Sequence, residues 1–159
     1  FFLPACTLSK NYHENILYEP RITLLYESKL KGFACMLMDG RFWSIYPRAD
    51  NFYTLGSVIH SRLHKITNKL KAKKIIDSLK KQDLKKIIYN FEQQVMRDFP
   101  DFKELFKYKG FYTSLTTIYN SSSDSRPLLV NKKNNLIEIL GAKIDNVVEI
   151  EKILAKMIH

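Results

Sequence analysis

The sequence predicts an α+β fold: a mostly antiparallel β-sheet with a helical insertion and a C-terminal helix. Three observations predict it. An apolar run, Phe33 to Met38, meets the turn signal Asp39-Gly40 and returns as an alternating segment, Arg41 to Tyr46. From Lys69 to Phe99 the apolar residues recur at helical spacing instead. Beyond Phe111 the chain goes back to short β-branched and aromatic runs, then closes on one amphipathic helix.

Phe1 to Thr7 is apolar and reads as the end of a strand. Ile16 to Tyr26 is rich in β-branched and aromatic residues, but Pro20 demotes it to an edge strand or a bend. Phe33 to Met38 is short enough for a strand covered on both faces. In its partner, Phe42, Ser44 and Tyr46 share one face, and Trp43 and Ile45 the other. Phe52 to His60 adds a third strand, with Tyr53, Leu55 and Ser57 opposite Phe52, Thr54 and Val58. The product is an antiparallel meander.

In the helical block, Ala72, Ile75, Ile76 and Leu79 form one stripe, and Leu84, Ile87, Ile88, Phe91 and Val95 a second. Their offset at Lys80 to Asp83 fits one drifting helix, or two helices with Asp83 as N-cap. Pro100 stops the block, and Phe102, Leu105 and Phe106 make one more turn before Gly110. Phe111 to Tyr119 reads as a strand, Asn120 to Ser125 as a loop, and Arg126 to Val130 as a short strand. Asn131 to Asn135 turns into a strand from Leu136 to Leu140, with Glu138 pointing away from the core. Asp145 caps a last helix that buries Val147, Ile150, Leu154 and Met157.

The chain has 159 residues, 45% of them hydrophobic, enough for one domain with a real core. It begins at Phe1-Phe2-Leu3-Pro4 without an initiator Met, which reads as a piece of a longer protein. No apolar run approaches the roughly 18 residues of a membrane span, so a membrane is not an expected partner. The formal charge is +10, and the stretch 62–86 holds ten Lys or Arg against Asp77 and Asp83. Most of the basic residues in the chain are Lys. Readers of nucleic acid favour the planar fork of Arg, so the Lys-rich stretch reads first as a solvated helix face. A basic module for nucleic acid or an acidic partner is the alternative. Cys6 and Cys35 have no paired spacing, which argues against a disulfide or zinc framework and fits a reducing, cytoplasmic setting.

Few residues signal chemistry by pattern. His60 and His64 stand four apart on what reads as strand, without a third ligand nearby. Asp39 is explained by its turn. No Gly-Xaa-Gly-Xaa-Xaa-Gly, P-loop or Gly-Xaa-Ser-Xaa-Gly occurs, so the chain is not a whole dinucleotide-binding domain. Arg126 follows a polar loop and precedes Pro127, where it either bonds loop carbonyls or grips a carboxylate bidentately. Gly141 to Asp145 turns a strand into a helix start, a place where backbone can approach an anion. Lys143 there also reads as a plain exposed lysine.

The order of short motifs is more telling than any one of them. Tyr18-Glu19 is followed by Met38-Asp39-Gly40, Phe42, Ser44-Ile45-Tyr46-Pro47 and Tyr53-Thr54-Leu55 with His60. Then come Phe99-Pro100, Gly110-Phe111-Tyr112, Asp124-Ser125-Arg126-Pro127 and Gly141-Ala142-Lys143-Ile144-Asp145. In this order the chain resembles the C-terminal, substrate-domain half of FAD-dependent oxidoreductases of the D-amino-acid oxidase and glycine oxidase type. The resemblance implies a sheet domain at about 8–130 that roofs a flavin. It implies that 1–7 and 131–159 belong to a FAD-binding domain whose Gly-rich N-terminal half lies elsewhere. Arg126 would hold the carboxylate of an amine or amino-acid-like substrate, which is oxidised by hydride transfer to FAD. Gly141, Ala142, Lys143 and Ile144 would pass beneath the flavin pyrimidine. The family commonly has a second glycine where Ala142 stands. Alone, this half would be inactive, bind FAD poorly and expose apolar surface at 1–5 and 136–159.

Overall fold

The computed structural model describes residues 15–120, 127–141 and 146–158. In chain order the elements are β1 (Ile16–Ser28), β2 (Cys35–Leu37), β3 (Trp43–Pro47), β4 (Phe52–Ser57), α1 (Lys69–Asp77), α2 (Lys81–Met96), α3 (Phe102–Leu105), β5 (Phe106–Tyr119), β6 (Leu129–Lys133), β7 (Leu136–Leu140) and α4 (Asn146–Ile158). Five strands form an antiparallel sheet in the order β2-β3-β4-β1-β5, and β6 and β7 form a separate hairpin. The α+β architecture with a mostly antiparallel sheet is therefore the observed one. The run Phe1 to Thr7 lies outside the described residues.

β1 departs from its expected role. It is no edge strand but lies between β4 and β5. Pro20 is fully buried within it. β4 pairs only with Leu24 to Glu27 of β1, so beside Pro20 that flank faces the irregular stretch 61–66. There the N–H groups of Tyr18 and Ile22 donate to the carbonyls of Ile66 (2.7 Å) and Ser61 (2.9 Å). By the two-residue repeat Pro20 points its nitrogen the same way. Its missing donor thus costs one bond to a loop and none to β5.

The meander β2-β3-β4 forms as expected, with Trp43, Ile45, Tyr53, Leu55 and Ser57 buried on one face, but β4 stops at Ser57 and does not run to His60, whose N–H turns back onto Ser57 Oγ at 3.0 Å. The turn is longer than two residues, because Leu37↔Trp43 is the last pair. Gly40 in this loop has φ 75, which glycine adopts without strain, and Phe42 has φ 46. β2 is an edge strand whose Met36 is 49% exposed, not a strand covered on both faces.

Two helices form, and Asp83 is not the cap between them. The break falls at Ser78 to Lys80, Lys80 is the N-cap without a side-chain bond, and Asp83 lies in the first turn. α1 is capped by Asn68, whose side chain accepts from the Lys71 N–H at 3.0 Å. Phe106 leaves the helical block and opens β5, which runs straight through Gly110. Leu25 pairs with Gly110 and Tyr26 with Tyr108, so Lys109 is the extra residue of a bulge.

The core lies between one sheet face and the helices. Ile22, Leu24, Tyr26 and Ile45 meet Phe91 and Val95 of α2 and Phe102 of α3. The Tyr26 and Phe102 rings meet edge-on at 5.0 Å, and Phe102 stacks on Phe106 at 5.1 Å. At the far end of β1, Ile16 and Tyr18 pack with Ala72 of α1.

The second hairpin turns at Asn134-Asn135, later than expected. Lys133 pairs with Leu136, and Asn134 adopts φ 55, as tight hairpins require. Glu138 is buried at 8% exposure, not pointed outward, because it shares a face with buried Leu140. On α4 the half-buried residues include Ile150, Leu154 and Met157, while Val147 is 63% exposed. Asp145 lies outside the described residues.

Candidate functional site

Among the described residues, helices α1 to α3 pack on one face of the five-stranded sheet and not on the other. The two-residue repeat puts Met36, Ser44, Tyr46, Thr54, Gly56 and Thr23 on the other face. On this open face a cavity of ≈ 490 Å³ spans the sheet from β2 to β5. Its β2 and β3 end is apolar, walled by Met36, Met38, Phe42 and Val58. Its β1 and β5 end is polar, with Arg21, Thr23, Ser114 and Thr116. The floor between is low: Met36 pairs with Ser44, and Ser44 with Gly56. A Cβ added at Gly56 would meet Ser44 Oγ at 3.3 Å. A concave, mostly apolar site with a few convergent polar groups is the usual form of a small-molecule pocket.

Arg21 is the charged group of this cavity, and its position is fixed. Its Nε and Nη2 donate to Glu19 Oε2 at 3.1 and 2.8 Å. Glu19 is fully buried. Arg62 Nε lies 2.9 Å from Glu19 Oε1, a charge contact whose N–H is not aimed at the oxygen. Lys65 Nζ stands at 4.0 Å from the same oxygen. One carboxylate therefore faces three cations, of which Arg21 lines the polar end of the cavity.

A buried polar chain holds the wall of the cavity. Ser57 Oγ donates to Gln94 Oε1 at 2.7 Å, and Gln94 Nε2 donates to the Arg41 carbonyl at 2.6 Å. The Val58 N–H donates to the Phe42 carbonyl at 2.9 Å. Trp43 Nε1 donates to Asp98 Oδ2 at 2.8 Å. Phe42 keeps its left-handed backbone because these bonds from α2 and β4 over-determine its loop. Behind the sheet, burial and then the Glu92 carboxylate push the Tyr26 hydroxyl well above its usual range. Partial burial lowers His60, whose ring lies 5.8 Å from that of Phe91. His60 and His64 are not brought together with the cavity, which neither of them lines.

Among the expected site residues, Arg126, Ala142, Lys143 and Ile144 lie outside the described residues. Gly141 is described. A Cβ there would meet Leu128 Cδ1 at 3.0 Å and Asn146 Oδ1 at 3.2 Å, so a larger residue would require these side chains to shift. The structure gathers Met38, Phe42 and Ser44, which appear in the motif order, around one cavity. Arg21 was missed, although Glu19 and Arg21 two apart on a strand are a same-face charge pair. In the 62–86 stretch, Lys65, Lys71, Lys73, Lys74, Lys80, Lys81, Lys85 and Lys86 are exposed, as on a solvated helix face.

Three curated relatives align over most of the chain. It is 27% identical over 133 residues to "FAD-dependent monooxygenase FPY4" of Fusarium mangiferae, covering 83% of this chain and 36% of that protein. It is 27% identical over 143 residues to "FAD-dependent monooxygenase kojA" of Aspergillus flavus and to "Probable FAD-dependent monooxygenase kojA" of Aspergillus oryzae, covering 84% of this chain and 33% of each. The chain spans about a third of the length of these relatives. No family model matches the chain. No solved structure matches it. The distant relatives support an FAD-dependent oxidoreductase family and not the D-amino-acid oxidase type.

Proposed function

We propose that this chain is the sheet-bearing part of a longer FAD-dependent oxidoreductase, and that its open sheet face covers the flavin ring and a small-molecule substrate. The observation that carries the proposal is the cavity on the sheet face opposite α1 to α3, floored by Ser44 and Gly56 and bordered by Arg21. The alignment with relatives named for FAD supports it.

The residues fit one end of that cofactor. The floor at Ser44 and Gly56 carries short side chains, and a cavity of ≈ 490 Å³ has space for a small substrate between that floor and a planar ring laid across its mouth. They do not fit its diphosphate, which needs a Gly-rich strand-to-helix turn that this sequence lacks. The phosphates would therefore be held by another part of the full-length protein. When bound, FAD would supply the two-electron acceptor. This chain's residues bind and orient: Met36, Met38 and Phe42 exclude water, and the hydroxyls of Thr23, Ser114 and Thr116 position polar substrate atoms. Arg126 is proposed to hold a substrate carboxylate, and the turn Gly141 to Ile144 to lie under the ring's pyrimidine end.

Two reactions fit this frame. One is oxidation of an amine or amino-acid-like substrate by hydride transfer to FAD. The relatives' names favour the other, monooxygenation. The full-length protein separates them. Both require a yellow protein with stoichiometric flavin. An oxidase turning over an amine consumes dioxygen and releases hydrogen peroxide. A monooxygenase consumes a reductant and places an oxygen atom in its product. A full-length protein that neither purifies with flavin nor takes it up contradicts both. In that case a salt-sensitive shift on RNA or DNA would point to the basic face instead.

A further inference from the structure

We infer that Arg21 is the sheet-side anchor for an anionic group, and that the cavity takes a carboxylate with an apolar body. This deepens the proposed function by naming a substrate class and a second carboxylate anchor in addition to Arg126, and it rests on the same cavity. Three observations carry it. First, Arg21 is held by Nε and Nη2 to a fully buried Glu19, so its orientation is set before any ligand arrives. Pre-organisation of this kind lowers the cost of binding. The pair leaves Nη1 unused, on a side chain that lines the cavity.

Second, the charge does not balance. Glu19 is the carboxylate near Arg21, Arg62 and Lys65, and among the described residues no other acid pairs with them. A purely structural pair needs one cation. Of the three cations Arg21 lines the polar end of the cavity, where an incoming anion is favoured over a neutral group.

Third, the cavity is two-ended, and the sheet order sets its length. Met36 on β2 and Arg21 on β1 are three strand spacings apart, roughly 14 Å. Near Arg21 the wall offers the hydroxyls of Ser61, Ser114 and Thr116. At the far end it offers Met36, Met38 and Phe42. A carboxylate at Arg21 directs its apolar remainder along the floor of Ser44 and Gly56 to those side chains. A free inorganic anion would leave the apolar end uncovered.

The test is calorimetric titration of the full-length protein with hydrocinnamate, and with hydrocinnamyl alcohol as the neutral analogue of the same shape. The carboxylate should bind tighter than the alcohol. In the double variant Arg21→Met/Glu19→Gln, which removes the anchor without orphaning a buried charge, hydrocinnamate should weaken about 10- to 100-fold. Arg21→Lys should fall between, because it keeps the charge and loses the fork. The alcohol should bind all three proteins alike, and flavin content should not change. If the double variant does not fold, Arg21→Lys carries the comparison. Equal affinity for hydrocinnamate in all variants overturns the inference, as does no preference for the acid over the alcohol. Loss of flavin with hydrocinnamate binding intact also overturns it, and assigns the guanidinium to a cofactor phosphate. A colourless wild-type protein defeats the functional reading, while the titration still decides the role of Arg21.

Discussion

Glu19 gathers three cations around one carboxylate. It is fully buried, bonded twice by Arg21 and touched by Arg62. Glu19→Gln should therefore cost about 1.5–3 kcal/mol of stability, the worth of hydrogen bonds to a charged group, read as a lower denaturant midpoint at neutral pH. Tyr26 gives a pH signature of opposite origin. Its folded pKa is raised by burial and by Glu92, so the folded state holds its proton where the unfolded chain releases it at about pH 10. The associated stability is complete below that pH and declines as pH rises above it. Tyr26→Phe should flatten this decline, seen in unfolding midpoints at about pH 8 and about pH 11. Part of this scale was legible in the sequence. Alternation around Ser44 puts Trp43 and Ile45 on one shared face, and that face is the buried one. The Glu19–Arg21 pair was hidden because Pro20 between them marked the segment as an edge, and the partner that excuses the proline lies some forty residues onward, at 61–66.

At the scale of elements, α2 is the lid of the core. Phe91 is completely buried against the sheet, while Tyr89 two positions away is 59% exposed. Phe91→Ala should cost about 3–5 kcal/mol, and Tyr89→Ala should stay within about 0.5 kcal/mol, both by thermal or denaturant unfolding. The stripes left one drifting helix or two helices open; two form, and the stripe Leu84, Ile87, Ile88, Phe91 and Val95 is the core-facing side of α2. Their ends were less legible. Phe106 continues the spacing of Phe102 and Leu105 yet belongs to β5, since an apolar residue at the right interval serves a helix end or a strand start equally well. The position of the cap was misjudged at Asp83 because Lys80 starts α2 with no side-chain bond.

Across the whole molecule, function depends on what one sheet face leaves uncovered. Sheet order is a long-range property: β1 and β5 pair along their lengths although the helical block separates them in sequence. No local pattern announces that Arg21, Met36, Ser44, Gly56 and Ser114 will line one cavity. The motif order nonetheless pointed to a flavin oxidoreductase, and relatives named for FAD align with most of the chain. The central claim is that the open face lies against the flavin. The most direct measurement is the visible flavin spectrum and flavin content of the full-length protein carrying Ser44→Trp, beside Lys81→Trp on the opposite, helical layer. Ser44→Trp fills the floor of the cavity and should displace the flavin or shift its spectrum, while Lys81→Trp should leave both as in the parent. A Ser44→Trp protein with the parent's flavin content and spectrum would contradict the account.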